Sequence, residues 1–291
     1  MLGIEIYAYS AAFLWIVVDS ISKKFINRIG VKKSQLIVVC AGIIPMLLLW
    51  VASGAGTEMH HLPIMLALTV LAGFALFLGF ALIYRSVHTS GISNAYVIEE
   101  IQPPLLIIFG VLALGEHLTQ AQLICMLVIF LGIALITLTK GLEINKKLVP
   151  SLIGNISWAL YWFFVIIAIF YYKSFVFPIL LIRVFAAVFA AAYILSHKKG
   201  EAGIKGNRIA KNTLYAMSLL AIGVGILDGT ANILFTVISF SNNVALAGMM
   251  LSVTPVATWL IGYFAYKEVI NTKQKIGFII ATIGYIMLTF L

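Results

Sequence analysis

Apolar residues occur along this chain in long stretches that end at charged or turn-forming residues. A helix needs about 20 residues to cross a bilayer, and ten of the stretches are of that length. Lys23 and Lys24 end the first stretch, and the polar run from His197 to Lys211 separates the seventh from the eighth. The pattern predicts an all-α membrane protein with ten transmembrane helices. The predicted spans are 4–22, 34–52, 63–84, 91–114, 120–139, 148–172, 176–196, 213–239, 243–266 and 274–291.

Composition supports this interpretation. Of the 291 residues, 63% are hydrophobic and 10% are charged, whereas a soluble domain has about 45–50% and about 25%. These fractions exclude a soluble enzyme, a nucleic-acid-binding domain and a receptor with a large extramembrane part. A transmembrane barrel is disfavoured because its strands alternate in hydropathy. Cys40 and Cys125 lie in apolar stretches, so we expect two small buried side chains and no disulfide or metal site.

Basic residues indicate the orientation. The formal net charge is +9, and 17 of the 19 Lys and Arg residues lie in the loops after spans 1, 3, 5, 7 and 9. Lys173 is the one basic residue in a loop on the opposite side, and Arg183 lies within a span. Short basic loops face the cytoplasm, so we expect both termini outside. The charge reflects topology in a lipid bilayer, and a nucleic-acid partner is not expected.

The chain also matches itself when it is shifted by 152 residues. The Pro, Glu, Gln and Gly matches carry most weight, because apolar composition alone does not produce them. Five spans per half is an odd number, so the second half must cross the membrane in the opposite sense. We therefore predict two inverted five-helix repeats, residues 1–142 and 143–291, a plan that recurs in secondary transporters. The matched first-half residues are Leu82, Ala95, Pro103, Gly110, Ala113, Glu116, Gln122, Ile124, Gly132 and Thr137.

Two motifs carry a family resemblance. The residues Gly115-Glu116-His117-Leu118-Thr119 with Gln122, echoed by Glu268 and Gln274, resemble the EamA branch of the drug/metabolite transporter superfamily. The resemblance implies ten helices, with spans 1–4 and 6–9 lining a central cavity and spans 5 and 10 at the periphery. It implies transport of small metabolites by alternating access, without ATP hydrolysis. Many relatives place both termini in the cytoplasm, in contrast to the loop charges here.

Ionisable side chains within spans are costly and therefore mark candidate functional positions. The candidates are Asp19, Glu99, Glu100, Arg183 and Asp228. Glu116 and Glu268 lie at helix ends, where we expect them to cap helices or anchor loops.

Asp19 lies four residues after Trp15, on the same helical face. One interpretation is a cavity-lining carboxylate beside an aromatic wall. The alternative is a structural ion pair between Asp19 and Lys23, one turn further along the helix.

Glu99 and Glu100 give the strongest signal of a site. Adjacent helical residues point about 100° apart, so the two carboxylates cannot face one cavity equally. Glu99 shares a face with Tyr96 and Gln102, and the following Pro103 removes a backbone donor. The repeat equivalents of the two glutamates are Leu251 and Ser252, which favours a substrate-specific role. The alternative is a buried carboxylate that is paired structurally with a cation.

A lone guanidinium in the bilayer would be very costly, so we expect Arg183 to neutralise Glu99, Glu100 or Asp228. Asn232 extends the polar face of Asp228 by one helical turn. Aromatic residues complete the candidate site, and together with the carboxylates they would suit a cation. They are Trp15, Tyr96, Trp158, Tyr161 and Trp162, with Tyr84 a further aromatic residue of this set.

Four interior carboxylates against one arginine favour a cationic or zwitterionic substrate such as an amine or an amino acid. Withdrawal from water favours the neutral carboxyl group, so some of these groups can also carry H⁺. We expect no enzyme activity, cofactor or metal, and a monomer suffices, with a dimer left open. The alternatives are a broad exporter of neutral solutes, a channel, or a receptor or intramembrane enzyme on the same scaffold.

Overall fold

The computed structural model describes residues 2–56, 62–102, 105–106, 108–109, 119–137, 146–172, 174–196, 211–240 and 253–290. Within these ranges every regular element is a helix. The α-helices are α1 (Leu2–Ile29), α2 (Val31–Ala41), α3 (Ile43–Ser53), α4 (Leu62–Ser90), α5 (Ile92–Tyr96), α6 (Gln120–Thr137), α7 (Val149–Tyr172), α8 (Val176–Ser196), α9 (Lys211–Phe240), α10 (Val253–Phe264) and α11 (Thr272–Thr289).

Five helical stretches are long and apolar enough to cross a membrane, and shorter apolar helices accompany them. Large apolar side chains on the outer surface are well exposed, among them Phe13 (64%) and Leu127 (66%). A surface of this kind is stable against lipid and unfavourable in water. The protein is therefore an integral, multi-pass membrane protein. The five stretches are Val31–Ser53, Leu62–Ser90, Val149–Ile169, Val176–Ser196 and Lys211–Phe240.

The second predicted span, 34–52, is broken in the middle. Helix α2 ends at Ala41 and α3 begins at Ile43, with Gly42 between them. Pro45 has no N–H to donate to the carbonyl of Ala41, so the α-helical ladder loses a bond at this point. Cys40, on this segment, is exposed and not buried as expected, whereas Cys125 is buried, and both thiols are free.

The fourth predicted span, 91–114, also departs from one continuous helix. Five residues of α-helix are followed by a 3₁₀ segment, Val97–Ile101, which carries Glu99. Side chains three residues apart eclipse one another in a 3₁₀ helix. Tyr96, Glu99 and Gln102 therefore lie in one line along this segment.

Helix packing follows a paired pattern. Helix α1 packs on α9 and α4 packs on α7; likewise α2 packs on α9 and α4 on α8. Helices α6 and α11 pack on each other. Gly132 meets Gly277 and Ala281, and Gly284 meets Cys125 and Ile129. Since the residue number on α11 falls as the residue number on α6 rises, these two helices run antiparallel.

The N-termini of α6 and α11 carry the same cap. The backbone N–H of Thr119 donates to Gln122 Oε1 at 2.9 Å, and the N–H of Gln122 donates to Thr119 Oγ1 at 3.2 Å. Asn271 and Gln274 make the same reciprocal pair at 3.1 and 2.8 Å. These are capping boxes, which satisfy N–H groups that a helix start leaves without partners. The two boxes are 152 residues apart.

Candidate functional site

A cavity lies between α1, α4, the 3₁₀ segment, α7, α9 and α10. Its empty space amounts to about 580 Å³, including the solvent at its open side. Helices α6 and α11 contribute none of the described lining residues. The cavity is lined by Trp15, Val18, Asp19, Leu76, Phe80, Tyr84, Glu99, Gln102, Trp158, Tyr161, Trp162, Asp228, Asn232 and Thr254.

Asp228 is neutralised by Arg183. The Nη2 atom of Arg183 lies 2.5 Å from Asp228 Oδ2, and the arginine side chain has no exposed surface. Removing both charges from water is costly, and their close contact offsets that cost. The structure thus selects Asp228 from the three carboxylates that Arg183 could neutralise. The guanidinium carbon of Arg183 lies 5.4 Å from the centroid of the Phe80 ring. Phe80 also lines the cavity.

The break at Gly42 makes room for this arginine. Arg183 Nε donates to the carbonyl of Val39 at 3.2 Å, and Nη2 donates to Val38 at 3.4 Å. A Cβ atom on Gly42 would overlap the guanidinium. Glycine at residue 42 therefore lets α2 and α3 close around a charge in the middle of the protein.

The second oxygen of Asp228 faces the aromatic wall. Trp15 Nε1 donates to Asp228 Oδ1 at 3.2 Å. Asn232 donates to the backbone carbonyl of Asp228 at 2.7 Å and accepts a bond from the hydroxyl of Tyr161 at 2.8 Å. Trp162 packs against Trp15 with ring centroids 6.2 Å apart. The polar side chains at this end of the cavity are therefore already hydrogen-bonded to other groups of the protein.

Asp19 and Glu99 have no such counter-ion among the residues that the structure describes. Asp19 is 4% exposed and lies near Tyr96. It also lies close enough to Glu99 and Asp228 for repulsion between the carboxylates. Glu99 lies near Gln102, and its Oε2 has no hydrogen-bond partner in the part of the chain that the structure describes.

The alternative ion pair between Asp19 and Lys23 is wrong. Lys23 contacts Glu268 instead. Both oxygens of Glu268 accept bonds from the first N–H groups of α5, Ile92 at 2.8 Å and Ser93 at 2.7 Å. The first N–H groups of a helix have no partner within the helix. Together with the helix dipole they favour a carboxylate at the helix start. The expected capping role of Glu268 is confirmed, while Glu116 lies outside the described residues.

The structure brings most of the predicted site residues to this cavity. Tyr96 is buried behind Asp19, and Arg183 is buried behind Asp228. The backbone of Glu100 lies in the 3₁₀ segment, but its side chain is not among those described. The lining residues that the sequence singled out as site candidates are Trp15, Asp19, Glu99, Trp158, Tyr161, Trp162, Asp228 and Asn232.

Thr254, Phe80 and Leu76 also line the cavity, although sequence reasoning did not select them. The internal repeat contained the signal that could have found them. Thr254 is 152 residues after Gln102, and Leu76 and Phe80 are 152 residues before Asp228 and Asn232. The offset of 152 residues therefore relates these uncharged lining residues to lining residues that were recognised by their polar side chains.

Solved structures share this architecture. Twenty-six chains match. One of them, a protein crystal structure, aligns over 100% of this chain and 97% of its own, with a TM-score of 0.64. Its identity to this chain is 17%, so the likeness shows the fold alone. A search among curated proteins gives no match.

The sequence model of the EamA-like transporter family matches residues 2–138. The matched range contains α1 to α6, including Asp19 and Glu99, and it confirms the resemblance that the sequence motifs indicated. Over these residues, which make up almost half of the chain, the protein therefore matches the EamA-like transporter family of the drug/metabolite transporter superfamily.

Proposed function

We propose that the protein is a secondary transporter for a small organic solute with a protonated amine, amino acids included, and that it couples transport to H⁺. The observation that carries this proposal is the pair Asp19 and Glu99. Both carboxylates line one cavity, and none of the described lining side chains is basic. A cation supplies the counter-charge that the protein does not.

The aromatic wall supports the same substrate class. Trp15, Trp158 and Trp162 line the cavity together with Tyr161. Aromatic faces attract cations through their quadrupole, most strongly where water is excluded. A phosphorylated solute would require several Lys or Arg residues in the lining instead.

The proposed coupling rests on two cations, a proton and the ammonium group of the substrate, that bind alternately to the same carboxylates. A carboxyl group in a water-poor cavity is stable when it is neutral or beside a cation. A proton and an ammonium group can therefore compete for Asp19 and Glu99, which is the minimal chemistry of exchange.

Counterflow in proteoliposomes tests the proposal. Vesicles loaded with unlabelled 2-aminoethanol should accumulate ¹⁴C-labelled 2-aminoethanol, and an imposed pH gradient should change the rate. Glu99→Gln and Asp19→Asn should abolish both effects. The control is Glu201→Gln, in the polar run 197–211, which removes a carboxylate outside the predicted spans. Wild-type rates in both cavity variants would contradict the proposal.

We also propose that residues 1–142 and 143–291 form two inverted repeats around this cavity. The matching capping boxes, the antiparallel pair α6–α11 and the paired helix contacts support it. In a background without Cys40 and Cys125, Thr119→Cys and Asn271→Cys should react with an impermeant reagent from opposite sides of the membrane. Labelling from one side would contradict the inversion.

The loop charges support termini on the outer side of the membrane. A reporter that is active only in the cytoplasm should be inactive when it is fused to the C-terminus. Cytoplasmic activity would reverse the proposed orientation. All the described lining residues belong to a single chain, so we propose that a monomer is sufficient for transport.

A further inference from the structure

Two buried hydroxyl groups in the cavity have no hydrogen-bond partner among the described residues. They are Tyr84 OH on α4 and Thr254 Oγ1 on α10. Their side chains are 1% and 2% exposed, and both line the cavity. A buried polar group without a partner costs the free energy of its lost hydration, so these two groups are suited to a ligand.

Other polar groups at the cavity are already engaged. Trp15 donates to Asp228, Tyr161 donates to Asn232, and Gln102 donates to Asn155 at 2.8 Å. The hydrogen-bonding capacity left among the described lining side chains includes two hydroxyls and Glu99 Oε2. An acceptor with negative charge suits an ammonium group. The hydroxyls can donate or accept, and they suit a second, neutral polar group.

A carboxylate on the ligand would find no cation. Arg183 is held by Asp228 and by two backbone carbonyls, and although its Nη1 has no partner, the residue is not among those that line the cavity. Asp19 and Glu99 would instead repel the carboxylate of an amino acid. The charges of the cavity therefore disfavour a zwitterion.

We infer that the ligand is a small protonated amine that also carries a neutral hydroxyl group, and that Tyr84 and Thr254 select it over plain amines and amino acids. This inference rests on the proposed function and narrows it. A site built to hydrogen-bond a hydroxyl discriminates strongly against an analogue without one, because its own polar groups are then left unpaired.

Equilibrium binding to the purified full-length protein tests this. The probes are 2-aminoethanol, propylamine, in which a methyl group replaces the hydroxyl, and glycine, in which a carboxylate replaces it. We expect 2-aminoethanol to bind at least about tenfold more tightly than propylamine, and glycine to bind most weakly.

The variants Thr254→Val and Tyr84→Phe remove one hydroxyl each. Either one should bring the Kd of 2-aminoethanol close to that of propylamine and leave the Kd of propylamine unchanged. Thr258→Val is the matched control, because Thr258 Oγ1 is also buried without a partner one turn further along α10 but does not line the cavity. It should keep the wild-type preference.

The outcomes separate the two proposals. Equal affinities for 2-aminoethanol and propylamine, both weakened by Glu99→Gln, would overturn the hydroxyl selection and leave the amine transporter standing. Tightest binding of glycine would overturn the exclusion of zwitterions alone. Binding of none of the three probes, or binding that Glu99→Gln does not change, would overturn both.

Discussion

The two halves of the cavity wall occupy equivalent places along the chain but differ in charge. Leu76 and Phe80 line the cavity, and so do Asp228 and Asn232, which follow them by 152 residues. The same offset relates Gln102 to Thr254, and both of these residues also line the cavity. In α1 and α7 the offset is 143 residues. It relates Trp15 to Trp158, Val18 to Tyr161 and Asp19 to Trp162.

The acids of the two halves are treated differently. Asp228, from the second half, has an arginine at 2.5 Å, whereas Asp19 and Glu99, from the first half, have no cation among the residues described around the cavity. Substrate specificity in such a wall needs no change of scaffold. It needs only different side chains at equivalent positions, some neutralised by the protein and some left for the ligand.

Removing Arg183 should cause the largest loss of stability. Arg183→Met leaves Asp228 buried without a counter-charge, which costs about 3–5 kcal/mol. The thermal unfolding midpoint of detergent-purified protein measures the effect. The double variant with Asp228→Leu, the residue found at the equivalent position 76, should recover much of the loss. A single variant as stable as the wild type would show that the pair is dispensable.

Close packing around the paired acid should give the next largest effect. A Cβ on Gly229 would lie 2.5 Å from the carbonyl of Gly42, whereas one on Gly223 of the same helix meets open space. Gly229→Ala should therefore cost about 1–3 kcal/mol, and Gly223→Ala should stabilise the helix by about 0.5–1 kcal/mol. Equal unfolding midpoints would contradict this.

The short helix α5, which precedes the 3₁₀ segment of Glu99, depends on a smaller contact. Glu268→Gln weakens the cap of α5 and the ion pair with Lys23, and should cost about 0.5–2 kcal/mol. Gly91 precedes this helix start with φ +88°, and a Cβ atom at this position would overlap the same carboxylate. Glu268→Gln should lower the unfolding midpoint, while Gln274→Glu, at an exposed cap, is the control. A larger loss in the control would be contrary to expectation.

Glu99→Gln should have the smallest effect on stability and a severe effect on transport. Glu99 has no cationic partner to lose, so the free energy of unfolding should change by less than about 1 kcal/mol. Uptake should nevertheless fall at least about tenfold, the loss expected for a contact to a charged ligand. A destabilisation as large as that of Arg183→Met would identify Glu99 as a structural residue.

Hydropathy correctly predicted a helical protein with several apolar membrane spans, because the bilayer requires long apolar segments whatever their packing. It could not predict the 3₁₀ segment, since Val97 and Ile98 suit both kinds of helix. Pro45 indicated locally that the helix breaks near Gly42. The sequence did not indicate that the guanidinium of Arg183 packs against this break. That arginine lies more than 140 residues away in sequence.

The choice of ionic partners was the least predictable part of the site. Asp19 and Lys23 have ideal helical spacing, yet Glu268 binds Lys23 because its carboxylate also caps α5. Local spacing cannot anticipate such a contact between distant segments. Thr254 was missed because a single small hydroxyl has little weight in an apolar span.

The 3₁₀ geometry of Val97–Ile101 has a mechanical consequence. A 3₁₀ helix rises about 2.0 Å and turns about 120° per residue, against about 1.5 Å and 100° in an α-helix. Rewinding these five residues into α geometry would shorten the segment by about 2.5 Å and rotate its end by about 100°. Glu99 is the third of these residues, so the same rewinding would rotate its side chain by about 60° about the helix axis.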